Sequence, residues 1–466
     1  MNGQSGLKTD RAKVQCCLGN AWERKSKIEA AIAAYKKALH IDPGYVPAYL
    51  YLAGLLRQQK RLREAFEYCE KALALNPHDA DVRFHRNNLK DLLEKKTGEG
   101  AAMMNRGNLP LTDNPEGKLN LLNQRTFKCH RSGWNYVLNA LAPLHNSKGI
   151  QFDGFIENNF AWLHTHEGVR TAHELEQLRH EHRFEQCATS EEKGLTPYRR
   201  PWAGFLHNPQ GMPDWLHCQE SPQAIFQKDI WKRSLPFCKG LFTFSEYHGH
   251  WLRERTGKPV STLIHPTEIP ELQFDFVKFM ANPCKKIIQI GWWLRKLNAI
   301  YQLPVTRDNP LQYEKIRLVP VFSDNADHYL KTLMDRDREI NPISLGPEFS
   351  QNTREILHVS NDDYDQLLSE NIAFVSLYDA NANNAVVECI ARATPLLVNP
   401  LPAVQEYLGA AYPMYFSSLP EAAEKALDTG LISETHEYLK NCEVRSKLGA
   451  AYFLKSFTES EVYQLI

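Results

Sequence analysis

Two N-terminal segments of this 466-residue chain match each other at an offset of 34 residues. The first reads AAIAAYKKALHIDP and the second EAFEYCEKALALNP, with small residues at helical spacing before a proline. The matched pairs are Ala31/Ala65, Tyr35/Cys69, Ala38/Ala72, Leu39/Leu73 and Pro43/Pro77, preceded by Leu18/Leu52, Gly19/Ala53 and Trp22/Leu56. A period of this length predicts helical hairpins that bury their apolar faces against their neighbours in a stack.

This pattern resembles the tetratricopeptide repeat (TPR), in which small residues mark the close approach of two helices. A third unit begins at Asp79, but Arg83, Arg86 and Asn87 stand where apolar residues belong, which indicates a polar capping helix. Residues 1–96 are therefore predicted to be TPR repeats with a cap. The resemblance implies a protein or peptide partner for the repeats, and homodimerisation through them is the alternative.

The composition excludes several classes of partner. Fifty-five basic residues balance 55 acidic ones, so the chain has no overall field for nucleic acid or an anionic membrane. It has no apolar run of about 18 residues, and its N-terminus lacks the apolar core of a signal peptide. We therefore expect a cytoplasmic protein without an integral membrane segment. Its ten cysteines form no C-x-x-C pair, so reduced thiols are expected.

The rest of the chain alternates between short apolar strands and helices. Residues 97–118 are rich in Gly, Asn and Pro and are predicted to be a linker. The alternation beyond it predicts an α/β fold with two parallel, Rossmann-like domains, 119–270 and 271–466, and a cleft between the carboxyl ends of their sheets.

The segment VSNDDYDQLLSENIAFVSLYDANANNAVVECIARATPLLVNPLPAVQEYLG, residues 359–409, resembles the donor half of a GT-B glycosyltransferase. The resemblance extends over roughly residues 120–430 and implies transfer of a sugar from a nucleotide-sugar donor, without a cofactor or a metal. It implies that Val359 and Tyr364 contact the base and that Glu388 binds the ribose hydroxyls.

Phosphate groups are expected at the start of the helix that contains Glu388. Asn381, Asn383 and Asn384 lie at that N-terminus, where free N–H groups and the helix dipole attract a diphosphate. After the strand IIQIG, Gly291 provides a tight turn, and the resemblance implies that Arg295 and Lys296 neutralise the phosphates.

The acceptor side is predicted from the first domain. The resemblance implies that Ser132 and Gly133 form a small-residue loop there. An inverting reaction needs a general base, and the candidates are His164, His166, His207, Glu157 and Glu246. We favour His207, because it follows a strand and would face the cleft, with Arg295 stabilising the leaving group.

Two departures leave alternatives open. Many retaining members have a second Glu where this chain has Ala380, beside Asp379, so retaining and inverting chemistry both stay open. A TPR adaptor with an inactive GT-B body and a nucleotide-sugar epimerase are alternative functions. No metal site is expected, because His164/His166 and His180/His182 lack acidic partners at ligand spacing, and Asp335/Asp337 and Asp363/Asp365 lie in charged helical segments.

Overall fold

The computed structural model divides the chain into two compact units, Met1–Ala102 with His358–Asp363, and Met103–Leu357 with Tyr364–Ile466. The structure describes residues 28–59, 61–75, 111–122, 124, 133–161, 197–216, 220–319, 326–342, 352–357 and 359–466, together with residues 8, 11–16, 18, 19, 22, 27, 86 and 89. No helix within these ranges is long and apolar enough to span a bilayer.

Helices α1 (Ile28–Ile41), α2 (Val46–Gln58) and α3 (Leu62–Leu75) form the core of the first unit. The bounds of α1 and α3 differ by 34 residues at both ends, which confirms the repeat period. The small residues and Tyr35 are buried at the helix contacts, and a Cβ added to Gly19 would lie 2.4 Å from the Tyr35 ring. Arg86 pairs with Glu70 at 2.6 Å, whereas Asp79, Arg83 and Asn87 lie outside the described residues.

Five parallel strands form the first sheet of the second unit, in chain order. The strands are β1 Leu119–Asn120, β2 Ile150–Asp153, β3 Trp202–Phe205, β4 Cys238–Thr243 and β5 Val260–Thr262. Its helices are α4 Trp134–Leu141, α5 Ile156–Ala161, α6 Pro222–Gln227, α7 Asp229–Ser234 and α8 Glu246–Thr256, with 3₁₀ turns at Ala142–Leu144 and Leu235–Phe237. Because all strands are parallel, the loops after β3 and β4 emerge at the same edge.

The second sheet also has five parallel strands, but their order is β10-β9-β6-β7-β8. The strands are β6 Lys286–Gln289, β7 Glu314–Val319, β8 Thr353–Leu357, β9 Ile372–Val375 and β10 Leu396–Val398. The helices are α9 Phe276–Ala281, α10 Ala299–Gln302, α11 Ala326–Ile340, α12 Asn361–Ser369, α13 Asn384–Arg392, α14 Pro402–Leu408, α15 Leu419–Leu427 and α16 Thr429–Lys440, followed by a 3₁₀ turn at Glu443–Lys447. The chain reverses its direction of strand addition between β6 and β9, and this switch point opens a crevice at the carboxyl ends of the two strands.

The chain returns to the first sheet at its C-terminus. Helices α17 (Ala450–Glu459) and α18 (Glu461–Gln464) place Phe453, Phe457 and Val462 in the apolar core that also contains Phe242 of β4. The bounds 119–270 and 271–466 stay predictions, and this packing adds a C-terminal crossing that they do not include.

The Asn381 amide joins the two α/β domains. Its Oδ1 accepts from the N–H of Phe244 at 3.1 Å and from the Ser245 hydroxyl at 3.0 Å. Its Nδ2 donates to the Leu206 carbonyl at 3.0 Å and to Thr243 Oγ1 at 2.8 Å. Asn381 follows β9, whereas Leu206 follows β3, Thr243 ends β4, and Phe244 and Ser245 come directly after β4. One buried side chain therefore connects the carboxyl edges of the two sheets.

We expect Asn381→Ala to lower the free energy of unfolding of the α/β unit by about 2 to 5 kcal/mol. The change leaves the Phe244 N–H without its acceptor and the Leu206 carbonyl with only the longer bond from the Thr243 hydroxyl at 3.3 Å. A buried unpaired group costs about 1 to 3 kcal/mol, and each further lost bond about 0.5 to 1.5 kcal/mol. Urea denaturation measures the effect. The exposed control Asn441→Ala, which removes one bond to the Glu437 carbonyl, should cost less than about 1 kcal/mol. Equal effects of the two changes would contradict this role for Asn381.

Candidate functional site

The turn after β6 folds around one arginine. Gly291 has φ +76°, a value that favours glycine, and a Cβ there would lie 3.0 Å from Arg295 Nη2. The glycine therefore permits both the left-handed turn and the close approach of the guanidinium to the backbone.

Arg295 is buried and is held mainly by neutral oxygens. Its Nε donates to the Ile290 carbonyl at 3.2 Å, its Nη1 to the Trp293 carbonyl at 2.5 Å, and its Nη2 to Asn383 Oδ1 at 3.0 Å. Burial lowers the pKa of Arg295 to about 10, against the opposing influence of Tyr364 and Glu388, so the group stays protonated near neutral pH. A buried cation that bonds no carboxylate among the described residues is suited to hold an anion.

Helix α13 begins beside this arginine. Asn383 is its N-cap, and the same Oδ1 that accepts from Arg295 also accepts from the Ala385 N–H at 3.1 Å. The first turn therefore combines a helix dipole, a capping amide and a guanidinium. Asn384, the first helical residue, approaches the other domain, since its Nδ2 lies 3.2 Å from the position of a Cβ on Gly133.

One turn further on, Glu388 lies in the buried part of α13. Its Oε2 accepts from the Tyr364 hydroxyl at 2.6 Å. Burial, and then the charge of Glu388, raises the pKa of Tyr364 well above its ordinary value, so this hydroxyl keeps its proton. Arg392 bonds Asp365 at 2.5 Å and lies 5.3 Å above the Tyr364 ring. The predicted donor residues Tyr364, Glu388, Asn383 and Arg295 therefore occupy one continuous region.

The Asp337 carboxylate bonds both loops at the switch point, the one after β6 and the one after β9. Its Oδ2 accepts from the backbone and side-chain N–H groups of Asn298, both at 2.8 Å, and its Oδ1 accepts from the Tyr378 hydroxyl. Asp337 lies in α11 and Asp365 lies in α12, as the charged pattern predicted. Asp337 thus bonds Asn298 and Tyr378, and Asp365 bonds Arg392.

The wall opposite the switch point contains His207. The carboxylate of Glu157 is fully buried, accepts from the backbone N–H groups of His207 and Asn208, and lies 3.3 Å from His207 Nδ1. The imidazole stacks on Phe155 with a centroid distance of 4.4 Å and meets Trp134 edge-on at 4.8 Å. Its buried Nε2 has no hydrogen-bond partner among the described residues.

Four further predicted site residues are placed as follows. The Asn381 side chain uses its hydrogen-bonding capacity in the first domain, so it bridges the domains instead of facing a diphosphate. Glu246 is exposed, and its carboxylate accepts from Arg253 and from the Thr262 hydroxyl. The Nζ of Lys296 lies 5.8 Å above the Tyr378 ring, and Val359 is grouped with the first unit. Their roles in donor binding stay predictions.

Several predictions cannot be placed. Ser132, His164, His166, His180 and His182 lie outside the described residues. Within the described ranges, no group of three His, Cys, Asp or Glu side chains could hold a metal ion. The expectation of a metal-independent reaction stays a prediction.

Sequence reasoning considered Asp379 only as a replacement for the second Glu and missed its bridging contact, and it missed Glu406 altogether. Asp379 accepts from the Gly211 N–H at 2.7 Å, and Glu406 accepts from the N–H groups of Glu246 and Tyr247 at 2.6 and 2.7 Å. These contacts connect loops far apart in the chain, so spacing could not indicate them. The sequence offered one signal for these contacts: acidic residues lie after apolar strands of the second domain, Asp379 in the loop after β9 and Glu406 in the helix after β10.

Comparisons with known proteins separate the two parts of the chain. Residues 15–98 match the family described as RMD1-3, Regulator of microtubule dynamics protein 1-3. Over 89 residues the chain is 32% identical to Tetratricopeptide repeat domain-containing protein PYG7, chloroplastic, from Arabidopsis thaliana, covering 19% of this chain and 30% of that protein. The chain thus spans less than a third of the length of this relative. The repeats are of the TPR type.

Similar solved structures cover both parts. The first TPR of Spaghetti (RPAP3), bound to the HSP90 peptide SRMEEVD, is 25% identical with a TM-score of 0.18 and covers 19% of this chain and 69% of its own. Trehalose-6-phosphate synthase OtsA is 12% identical with a TM-score of 0.44, over 71% of this chain and 76% of its own. Our fold assignment rests on the parallel strand order and the helical period, which confirm the expected class of TPR repeats and two α/β domains.

Two buried histidines predict an acid-sensitive α/β unit. Burial lowers the pKa of His248 to about 3 and that of His265 to about 4, from 6.5. Between pH 6.5 and 4 the unfolded chain binds these protons and the folded chain does not, so stability falls as the pH falls. From pH 7 to pH 5 each histidine should cost about 2 kcal/mol of unfolding free energy.

Urea denaturation at the two pH values measures this loss. His265→Phe should reduce the difference between pH 7 and pH 5 by about 2 kcal/mol, because the variant lacks one titrating group. His250→Gln removes an exposed histidine from α8 and should leave the difference unchanged. A difference that is the same in His265→Phe and in the wild type would refute the prediction.

Proposed function

We propose that the chain is a GT-B-type glycosyltransferase that takes a nucleoside diphosphate sugar as its donor. The observation that carries the proposal is the buried Arg295 guanidinium, bonded to the N-cap Asn383 of α13 at the switch point of the second sheet. This location is where parallel α/β sheets bind ligands, and its charge suits a diphosphate. Glu388 and Tyr364 then lie one helical turn further on, where the ribose and base would extend.

In the proposed reaction, negative charge develops on the diphosphate beside the N-terminus of α13. For inversion at the anomeric carbon, the acceptor hydroxyl gives its proton to His207 Nε2 while its oxygen bonds to that carbon. The bond from the carbon to the diphosphate oxygen breaks, and the electron pair leaves with the diphosphate. Arg295 and the α13 dipole stabilise the developing negative charge, so no metal is needed for this step.

Donor binding is the direct test of the proposal. Thermal shift with UDP-, GDP-, ADP- and TDP-sugars should identify one base, since a ligand at a hundred times its dissociation constant stabilises the folded state by about 2.7 kcal/mol. Stabilisation by none of the four would count against a nucleotide-sugar enzyme. Binding without hydrolysis or transfer would instead favour the inactive adaptor, for which Ala380 is the motivating residue.

Glu388→Ala should weaken binding of the identified nucleoside diphosphate by about 1.5 to 3 kcal/mol. This is the range for hydrogen bonds to a charged group, here the ribose hydroxyls on the carboxylate. Calorimetric titration measures the dissociation constant. Glu424→Ala removes an exposed glutamate from α15 of the same domain and serves as the control. If Glu388→Ala binds as tightly as this control, Glu388 is not the ribose ligand.

Arg295→Ala should reduce kcat more than it raises KM, because charge on the leaving group grows in the transition state. Steady-state kinetics with the identified donor separate the two effects. A rise in KM alone would mean that Arg295 binds the ground state. EDTA should leave both constants of the wild type unchanged, and a rate that collapses with chelator and returns with Mn²⁺ would reject the metal-free mechanism.

The TPR repeats are proposed to recruit the acceptor, or a protein that presents it. Deleting residues 1–96 should then spare hydrolysis of the donor by water and abolish transfer to the acceptor, because hydrolysis needs only the donor site. If the repeats dimerise the enzyme instead, the truncated chain should become monomeric by light scattering and still transfer at high concentration. Unfolding of the truncated chain would contradict both roles.

A further inference from the structure

Three buried polar atoms of the first α/β domain lack hydrogen-bond partners among the described residues. They are Trp134 Nε1, His207 Nε2 and His248 Nε2, and we call these three residues the acceptor wall. Trp134 begins α4, while His207 and His248 follow the adjacent strands β3 and β4, whose carboxyl ends lie at the same edge of the sheet. Buried polar groups without a partner cost about 1 to 3 kcal/mol each, so these three atoms are candidates to bind a ligand.

The partners of the two imidazoles fix their tautomers. His207 Nδ1 faces the carboxylate Oε2 of Glu157 at 3.3 Å, which can only accept when ionised, so Nδ1 carries the proton. His248 Nδ1 lies 2.8 Å from Oε1 of the Gln210 amide, and in this arrangement Nδ1 is the donor. In its neutral form each imidazole then presents Nε2 as an acceptor, while the Trp134 indole N–H is a donor.

We propose that the acceptor wall binds the hydroxyl groups of a neutral sugar or polyol, and that this compound is the glycosyl acceptor. The inference rests on the proposed function and adds the chemical class of its second substrate. A hydroxyl group both donates and accepts, so it can satisfy an imidazole Nε2 and an indole N–H in turn. The apolar rings around His207 provide the surface on which the C–H face of a sugar ring packs.

A phosphorylated acceptor does not fit this wall. A phosphate oxygen can only accept, so beside the neutral imidazoles it would meet two nitrogens that also accept and could bond only the Trp134 indole N–H. The charge of the wall is also unsuitable, because burial keeps His248 neutral, with its pKa lowered to about 3. The cationic group of the site, Arg295, is bonded to Asn383 on the donor side. The acceptor Nε2 atoms of the neutral imidazoles and the position of Arg295 on the donor side therefore both favour a neutral hydroxyl compound over a phosphate.

Saturation-transfer NMR on the full chain tests the inference with matched pairs. The probes are glucose, mannose and N-acetylglucosamine, each compared with its 6-phosphate, with and without the nucleotide found by thermal shift. At least one neutral sugar should bind more tightly than its 6-phosphate. Its dissociation constant should rise about fivefold or more in Trp134→Phe and in His248→Phe, which keep a ring and remove the polar atom. His250→Gln, on the exposed side of α8, should bind like the wild type.

Three results would overturn the inference: binding of none of the neutral sugars, tighter binding of the 6-phosphates, or unchanged affinity in Trp134→Phe. Should His248→Phe fail to fold, ¹⁵N spectra of histidine-labelled wild type report the tautomers directly, and an Nε2–H form of His207 or His248 would reject the argument. Nucleotide binding is measured separately. Its absence would defeat the proposed function, whereas nucleotide binding with a preference for sugar phosphates would defeat only this inference.

Discussion

The hydrogen bonds of Asn381 hold the carboxyl edges of the two sheets together, and the geometry of the candidate site depends on this connection. An amide has one acceptor and one donor end, and here both ends bind groups at the carboxyl edge of the first sheet while the backbone belongs to the second. A side chain of this kind tolerates little displacement, because hydrogen bonds weaken steeply with distance and angle. The two sheet edges are therefore held in a fixed register, and the donor and acceptor groups can be treated as one site.

The same constraint explains why a buried arginine is stable beside α13. The loop after β9 contains Asn381, which is bonded to the first domain, and Asn383, which caps α13. The capping oxygen of Asn383 is therefore held in place, and Arg295 donates to it. Removing a guanidinium from water is costly unless its N–H groups are bonded, and three fixed oxygens provide those bonds. Preorganised donors of this type lose little energy to rearrangement when a charged ligand arrives.

Much of the fold was predictable because it depends on local pattern. The 34-residue period gave the correct helices, since matched residues face the same neighbours in each repeat, and the alternation of strands and helices predicted parallel sheets. The order β10-β9-β6-β7-β8 was not readable, because pairing depends on which face each connecting helix covers. The return of α17 and α18 to the first sheet was missed for the same reason. Their apolar residues, such as Phe457, indicate burial but not the partner.

The candidate site was predictable on its donor side and less so on its acceptor side. A helix N-terminus, its cap and a nearby arginine are close in sequence or follow neighbouring strands, so chemistry and topology point to the same residues. The acceptor wall depends on tautomers that are set by Glu157 and Gln210, and the sequence does not reveal such pairings. The outcome is an asymmetry: a helix end with a buried guanidinium lies on one side, and a wall of imidazole and indole rings lies on the other. On the proposed function, this asymmetry places the diphosphate leaving group of the donor beside Arg295 and the transferred sugar beside His207.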